Sequence, residues 1–165
     1  MSNIHIELDA KDCFLRERIL GLVENETKNR QATHTFVGTY TQKARRSGIT
    51  AEIAFAKWLD VGYGYKPYSK SDADVLGYQI KATELKYGSL IMQPHNPAGV
   101  YVLGIVNAGF NQVSFMGWAL SQEIQQDCYW RDDVPKPGWF MPQSKLWSMD
   151  ELTETAELAA HHGAF

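Results

Sequence analysis

The sequence predicts an α/β domain with a central mixed sheet flanked by helices. Three observations carry this reading. Apolar residues recur at helical spacing near both ends of the chain and again after Gly48. Short period-two segments fill the middle. Val100–Asn107 is a near-continuous apolar run, as expected of a central strand covered on both faces. Helices at both ends around a run of strands, with one helix between, is the order of an α/β sandwich. With 165 residues, 44% hydrophobic and 21% charged, the chain has the size and composition of one soluble domain. It divides into a helical extension (1–47), a motif-bearing core (48–120) and a C-terminal loop and helix (121–165).

Taken in order, Ile4–Leu8 alternates and predicts a short strand. Asp9 is placed to cap a helix whose stripe is Leu15, Ile19, Leu22 and Val23 and which fades near Asn25–Arg30. A polar stretch with the basic cluster Gln42-Lys-Ala-Arg-Arg46 follows. Gly48 precedes a second helix, Ile49–Leu59, with the carboxylate of Glu52 on an otherwise apolar side. Tyr63–Tyr68 reads as a strand. Asp74-Val75 and Tyr78–Thr83 read as two strands joined at Leu76-Gly77, through either a two-residue or a bulged turn. Val100–Asn107 and Gln112–Leu120 are further strands. Ser121 and Glu123 suit the start of a short helix. Tyr129–Pro142, rich in Trp and Pro, reads as loop and edge. Ser148-Met-Asp-Glu151 fits a capping box opening a last helix.

Composition narrows the function classes. No stretch approaches the roughly 20 apolar residues that span a bilayer, and Met1–Asp12 lacks an apolar signal core, so a cytoplasmic protein without a membrane partner is expected. Cys13 and Cys128 do not make a disulfide framework. The net charge is −3, yet Lys28–Lys70 holds eight basic and two acidic residues, a segment of +6. Such a segment steers a polyanion locally, and Lys43, Arg45 and Arg46 are its densest part. No phosphate-binding loop of the G-x-x-x-x-G-K type occurs, which leaves no support for an ATP-driven role.

The chemistry concentrates in Ser71-Asp-Ala-Asp-Val-Leu-Gly-Tyr-Gln-Ile-Lys81. Gln79 and Lys81, two apart on a strand, point to one face. A turn at Leu76-Gly77 sets Val75 opposite Tyr78 and Asp74 opposite Gln79, and directly opposed residues share a face. Asp74, Gln79 and Lys81 therefore converge. The oxygens suit a hard divalent cation and the ammonium suits a water beside it. Glu52, from the inward side of its helix, is a candidate to reach the same ion. Asp72 sits off the opposed register, and Glu84, at odd spacing from Lys81, faces the other side.

Gly48-x-x-x-Glu52 on a helix, followed by Asp74 and then Gln79-Ile-Lys81, resembles the PD-(D/E)XK nuclease superfamily, restriction endonuclease-like, in its small phage and bacterial members. The resemblance covers roughly Gly48–Leu120. It implies an αβββαβ core and a Mg²⁺-dependent DNA endonuclease in the cytoplasm of a bacterial or phage-infected cell, with Mn²⁺ as a substitute and a homodimer as one possible assembly. It implies Asp74 and Gln79 as metal ligands, Lys81 as the water-orienting residue and Glu52 as an accessory acid. Gln79 stands where most members carry Asp or Glu. That departure supports the alternative, a catalytically silent nuclease fold acting as a DNA-binding or protein-interaction module.

Overall fold

A computed structural model describes residues 3–31, 39–63 and 75–152. The first strand, β1 (Ile4–Glu7), alternates half-buried Ile with exposed His and Glu and leads into α1 (Ala10–Gln31). Asp9 caps α1 as expected. Its Oδ1 accepts from the Asp12 N–H at 2.9 Å, and Asp12 Oδ2 accepts from the Asp9 N–H at 2.9 Å. This reciprocal box satisfies donors that a helix start otherwise leaves open. The N–H of Asp12 is also the main reason the Asp9 carboxyl titrates below its ordinary range.

The second helix departs from the sequence reading. α2 spans Thr39–Trp58, ten residues longer at its start than the Ile49 expected, so Gln42–Arg46 lies on a helix rather than in a polar connection. Gln, Lys, Ala and Arg are all good helix formers, which lets the helix begin before its apolar face does. Gly48 is an interior helical position with open space around it, not a helix boundary. The division at 47/48 accordingly marks no structural boundary. α2 runs across it, and α1 contributes Ile19, Leu20 and Val23 to the main core.

Four strands form the main sheet in the order β1-β5-β4-β2. β2 (Tyr78–Thr83) runs parallel to β4 (Val100–Val106), whereas β5 (Gln112–Leu120) is antiparallel to both β4 and β1. The sheet is thus mixed, with the apolar run at 100–106 inside it as expected. Opposite it lies a second sheet, in the order β3-β7-β6, made of β3 (Leu90–Met92), β6 (Trp130–Arg131) and β7 (Gly138–Met141). Here the sequence reading of loop and edge is corrected, because β7 is the middle strand. Gly138 makes that pairing possible, since a Cβ there would stand 2.7 Å from the Met92 carbonyl oxygen.

The main sheet separates two cores. Tyr78, Ile80, Val102, Val106, Val113 and Phe115 pack on the side of α1 and α2, whereas Tyr101, Leu103 and Ala119 pack on the side of β3, β7 and α3 (Ser121–Ile124). The sheet is therefore covered by long helices on one face only. A register shift between Leu103 and Gly104, opposite Met116, lets β5 send Phe115 into the first core and Ala119 into the second. Just past it, Gly117 admits the 146–147 backbone: a Cβ there would stand 2.6 Å from the Trp147 carbonyl oxygen.

The short helix α3 is present as expected, with Glu123 accepting from the Leu120 N–H at 3.0 Å. Ser121 Oγ accepts from the Gly99 N–H at 3.1 Å. A last helix opens at 149 as expected and is described to residue 152. Of the strand expected at 63–68, residues 64–68 lie outside the described residues. No helix among the described residues is long and apolar enough to cross a membrane.

Candidate functional site

The candidate site begins at the turn before β2. Leu76 and Gly77 have φ of 43° and 87°, and the Val75 and Tyr78 backbones exchange hydrogen bonds of 3.2 and 2.8 Å. Two central residues with positive φ make this a two-residue turn of the I′ kind, whose twist matches a hairpin. Of the two turns the sequence left open, this is the tighter one, and it sets Val75 opposite Tyr78. Leu76 adopts the left-handed conformation without the freedom of glycine, at a cost of order 1–2 kcal/mol. Asp74 lies outside the described residues.

From this turn β2 alternates buried Tyr78 and Ile80 with half-buried Gln79 and Lys81. Tyr78 packs edge-on against Phe55 of α2 at a centroid distance of 5.3 Å, and burial pushes its phenol above the ordinary range. Gln79 and Lys81 face the other way, as the strand period requires. Among the described residues, no hydrogen bond occupies the Gln79 side chain. Lys81 Nζ donates to Asn96 Oδ1 at 3.2 Å and lies 5.8 Å from the centroid of the Tyr101 ring, close enough for a cation–π attraction.

Asn96 is itself fixed. The same Oδ1 accepts from the Gln93 N–H at 2.8 Å, and the Asn96 N–H donates to the Gln93 carbonyl at 2.9 Å. Tyr101 OH donates to the Pro97 carbonyl, pinning the far side of this loop. Gln93–Pro97 is thus a closed turn at the end of β3 that holds the Lys81 ammonium from the second layer. Sequence reasoning missed Asn96 and Tyr101. In the Gln93–Pro97 stretch the sequence offers His95 as the residue to reach a site from a loop, whereas in the fold it is Asn96 that meets Lys81.

The other expected residues all lie on α2. Glu52 is half-buried and its Oε2 accepts from Tyr63 OH at 3.1 Å. Its helix packs on the Tyr78–Ile80 side of β2. Lys43 is exposed and Arg45 half-buried. Arg46 is engaged within the protein: its guanidinium donates to both carboxylate oxygens of Glu17 and lies 5.7 Å from the centroid of Phe110. That bond from Arg46 is the leading reason the Glu17 carboxyl titrates below its usual range.

Among the described residues, no three His, Cys, Asp or Glu side chains converge to hold a metal ion. Gln79 offers one hard oxygen on the Lys81 face. That oxygen suits Mg²⁺, which takes few protein ligands and completes its shell with water and substrate. The chain matches no protein-family profile, no curated protein and no solved structure.

Proposed function

We propose that the protein is a Mg²⁺-dependent nuclease with a restriction endonuclease-like core, hydrolysing DNA phosphodiesters at the Gln79–Lys81 face of β2. The observation that supports this best is the tight turn at Leu76–Gly77, because its Val75–Tyr78 register is the one from which the convergence of Asp74 with Gln79 and Lys81 is argued. In this reading Asp74 and the Gln79 amide oxygen hold the ion. Bound Mg²⁺ supplies a polarised phosphoryl oxygen and a water of lowered pKa. Lys81, held by Asn96 and Tyr101, points its ammonium where charge develops on the attacked phosphate and orients the water by hydrogen bonding. Glu52 has only an accessory place, since its helix covers the opposite side of β2. Of the basic cluster, Lys43 and Arg45 are the better candidates for phosphate contacts, because Arg46 is held by Glu17.

The test is nicking of supercoiled plasmid with Mg²⁺, with Mn²⁺ and with EDTA. Cleavage with either metal and none with EDTA is expected. Retention of DNA without cleavage under any metal would replace this reading with the silent-site alternative, which the neutral Gln79 favours. Neither binding nor cleavage would leave no role in nucleic-acid chemistry.

A further inference from the structure

The connection from β2 to β3, Glu84–Ser89, holds two large apolar side chains in solvent: Leu85 is 70% exposed and Tyr87 83% exposed. The backbone that carries them is fastened. The Leu85 N–H donates to Thr83 Oγ1 at 3.1 Å and the Gly88 N–H donates to the Leu85 carbonyl at 3.0 Å. The Gln143 side-chain amide donates to the carbonyls of Lys86 and Gly88 at 3.0 and 2.9 Å. Gly88 sits so tightly on Thr83 that a Cβ would meet the threonine methyl at 2.9 Å. An apolar pair presented on a pinned backbone meets a partner with its loop-ordering cost already met.

The pair stands at the end of the strand that carries the proposed site. Thr83 ends β2 on the same face as Gln79 and Lys81, about 7 Å along the strand from Lys81. A polymer lying across Lys81 therefore runs onto this loop within two or three base steps. The loop's two charged residues, Glu84 and Lys86, cancel. It therefore offers apolar contact rather than attraction for phosphate, with the Lys86 ammonium 5.5 Å from the Tyr87 ring centroid. In DNA the apolar surface is that of the bases.

We infer that Leu85 and Tyr87 form an apolar wedge that packs against the bases of a DNA duplex seated over Lys81. This rests on the nuclease reading and adds to it the means by which the duplex is gripped. Apolar side chains pressed into a duplex base step partly unstack it, and an aromatic ring then stacks on the base face so exposed, engaging DNA without charge.

The experiment is fluorescence anisotropy of a labelled duplex in EDTA over a series of salt concentrations, for wild type, Leu85→Ser/Tyr87→Ser and Tyr87→Trp. Both side chains are exposed, so all three proteins should fold alike. The double variant should bind about tenfold or more weakly, with an unchanged slope of affinity against salt, because no phosphate contact is lost. Tyr87→Trp should keep wild-type affinity. Equal binding by the double variant overturns the wedge, as does weaker binding with a flattened salt slope. So does a loss of self-association, seen by light scattering, with DNA affinity intact; the loop would then be a contact between copies. If wild type cleaves plasmid with Mn²⁺ while the double variant binds DNA normally, the wedge alone fails. If wild type neither binds nor cleaves, the nuclease reading fails with it.

Discussion

Alternate residues of β2 meet entirely different neighbours. Tyr78 and Ile80 point into the core beneath α2, where the Phe55 ring lies 5.3 Å from Tyr78, 5.5 Å from Phe115 and 5.4 Å from Trp58, centroid to centroid. Gln79 and Lys81 point to the second layer, where apolar cover gives way to an amide, an ammonium and a turn of polar residues. The strand needs both sides. The first supplies the burial that fixes the strand, and the second uses that rigidity to hold polar groups in place. Substitutions on the helix side should therefore lower stability, and substitutions on the other side should lower activity while the fold persists.

The largest expected effect lies on the helix side. Phe55→Ala removes a fully buried ring from three aromatic contacts and should cost roughly 3–5 kcal/mol in denaturant unfolding. A loss under about 1 kcal/mol would mean that this face is not where stability resides. Across the strand, Lys81→Met should change stability by less than about 1 kcal/mol and lower plasmid cleavage by roughly 10²–10³, the usual effect of losing one preorganised donor. Mn²⁺ affinity should be kept. Loss of metal binding together with activity would contradict the division of roles.

Asn96→Ala tests whether the second layer positions Lys81. A drop of about tenfold in turnover with unchanged KM is expected, with a stability cost near 1 kcal/mol for the lost turn closure. Asn96→Asp keeps the accepting oxygen and should recover most of the rate; equal activity of all three proteins would make the turn merely structural. The smallest effect belongs to the turn that sets the register. Leu76→Asn gives the left-handed position a residue that tolerates it and creates the favoured Asn-Gly pair. It should raise stability by about 1 kcal/mol, or roughly 2–4 °C in Tm. A fall in Tm would mean that Leu76 is held by contacts that outweigh its backbone strain.

Much of this architecture is legible in the sequence because local pattern and fold agree. Val100–Val106 is apolar throughout and lies inside the sheet between β5 and β2, and Asp9 caps α1 through the residue three positions on. Where they disagree, tertiary contacts decide. Nothing local marks Leu90–Met92 as a strand; its three residues pair with Trp139–Met141, roughly fifty positions away. The start of α2 was hidden because Gly48 imitates a boundary, while its polar first half carries helix propensity without an apolar stripe. Within the candidate site, the common face of Gln79 and Lys81 follows from strand period. The Asn96 contact does not, since it depends on how the second sheet folds over the first.

The central claim is that the polar side of β2 binds a divalent cation, and calorimetric titration of Mn²⁺ into wild type and Gln79→Glu tests it most directly. Gln79 contributes an oxygen but no charge, so wild type should bind weakly without DNA. Glutamate adds a carboxylate of nearly the same shape on the same face, two residues from Lys81. At a real cation site the added charge should tighten Mn²⁺ binding about tenfold or more, the scale on which one close charge changes an electrostatic equilibrium. An affinity unchanged by Gln79→Glu would contradict the account, because a carboxylate introduced beside a bound cation cannot be silent.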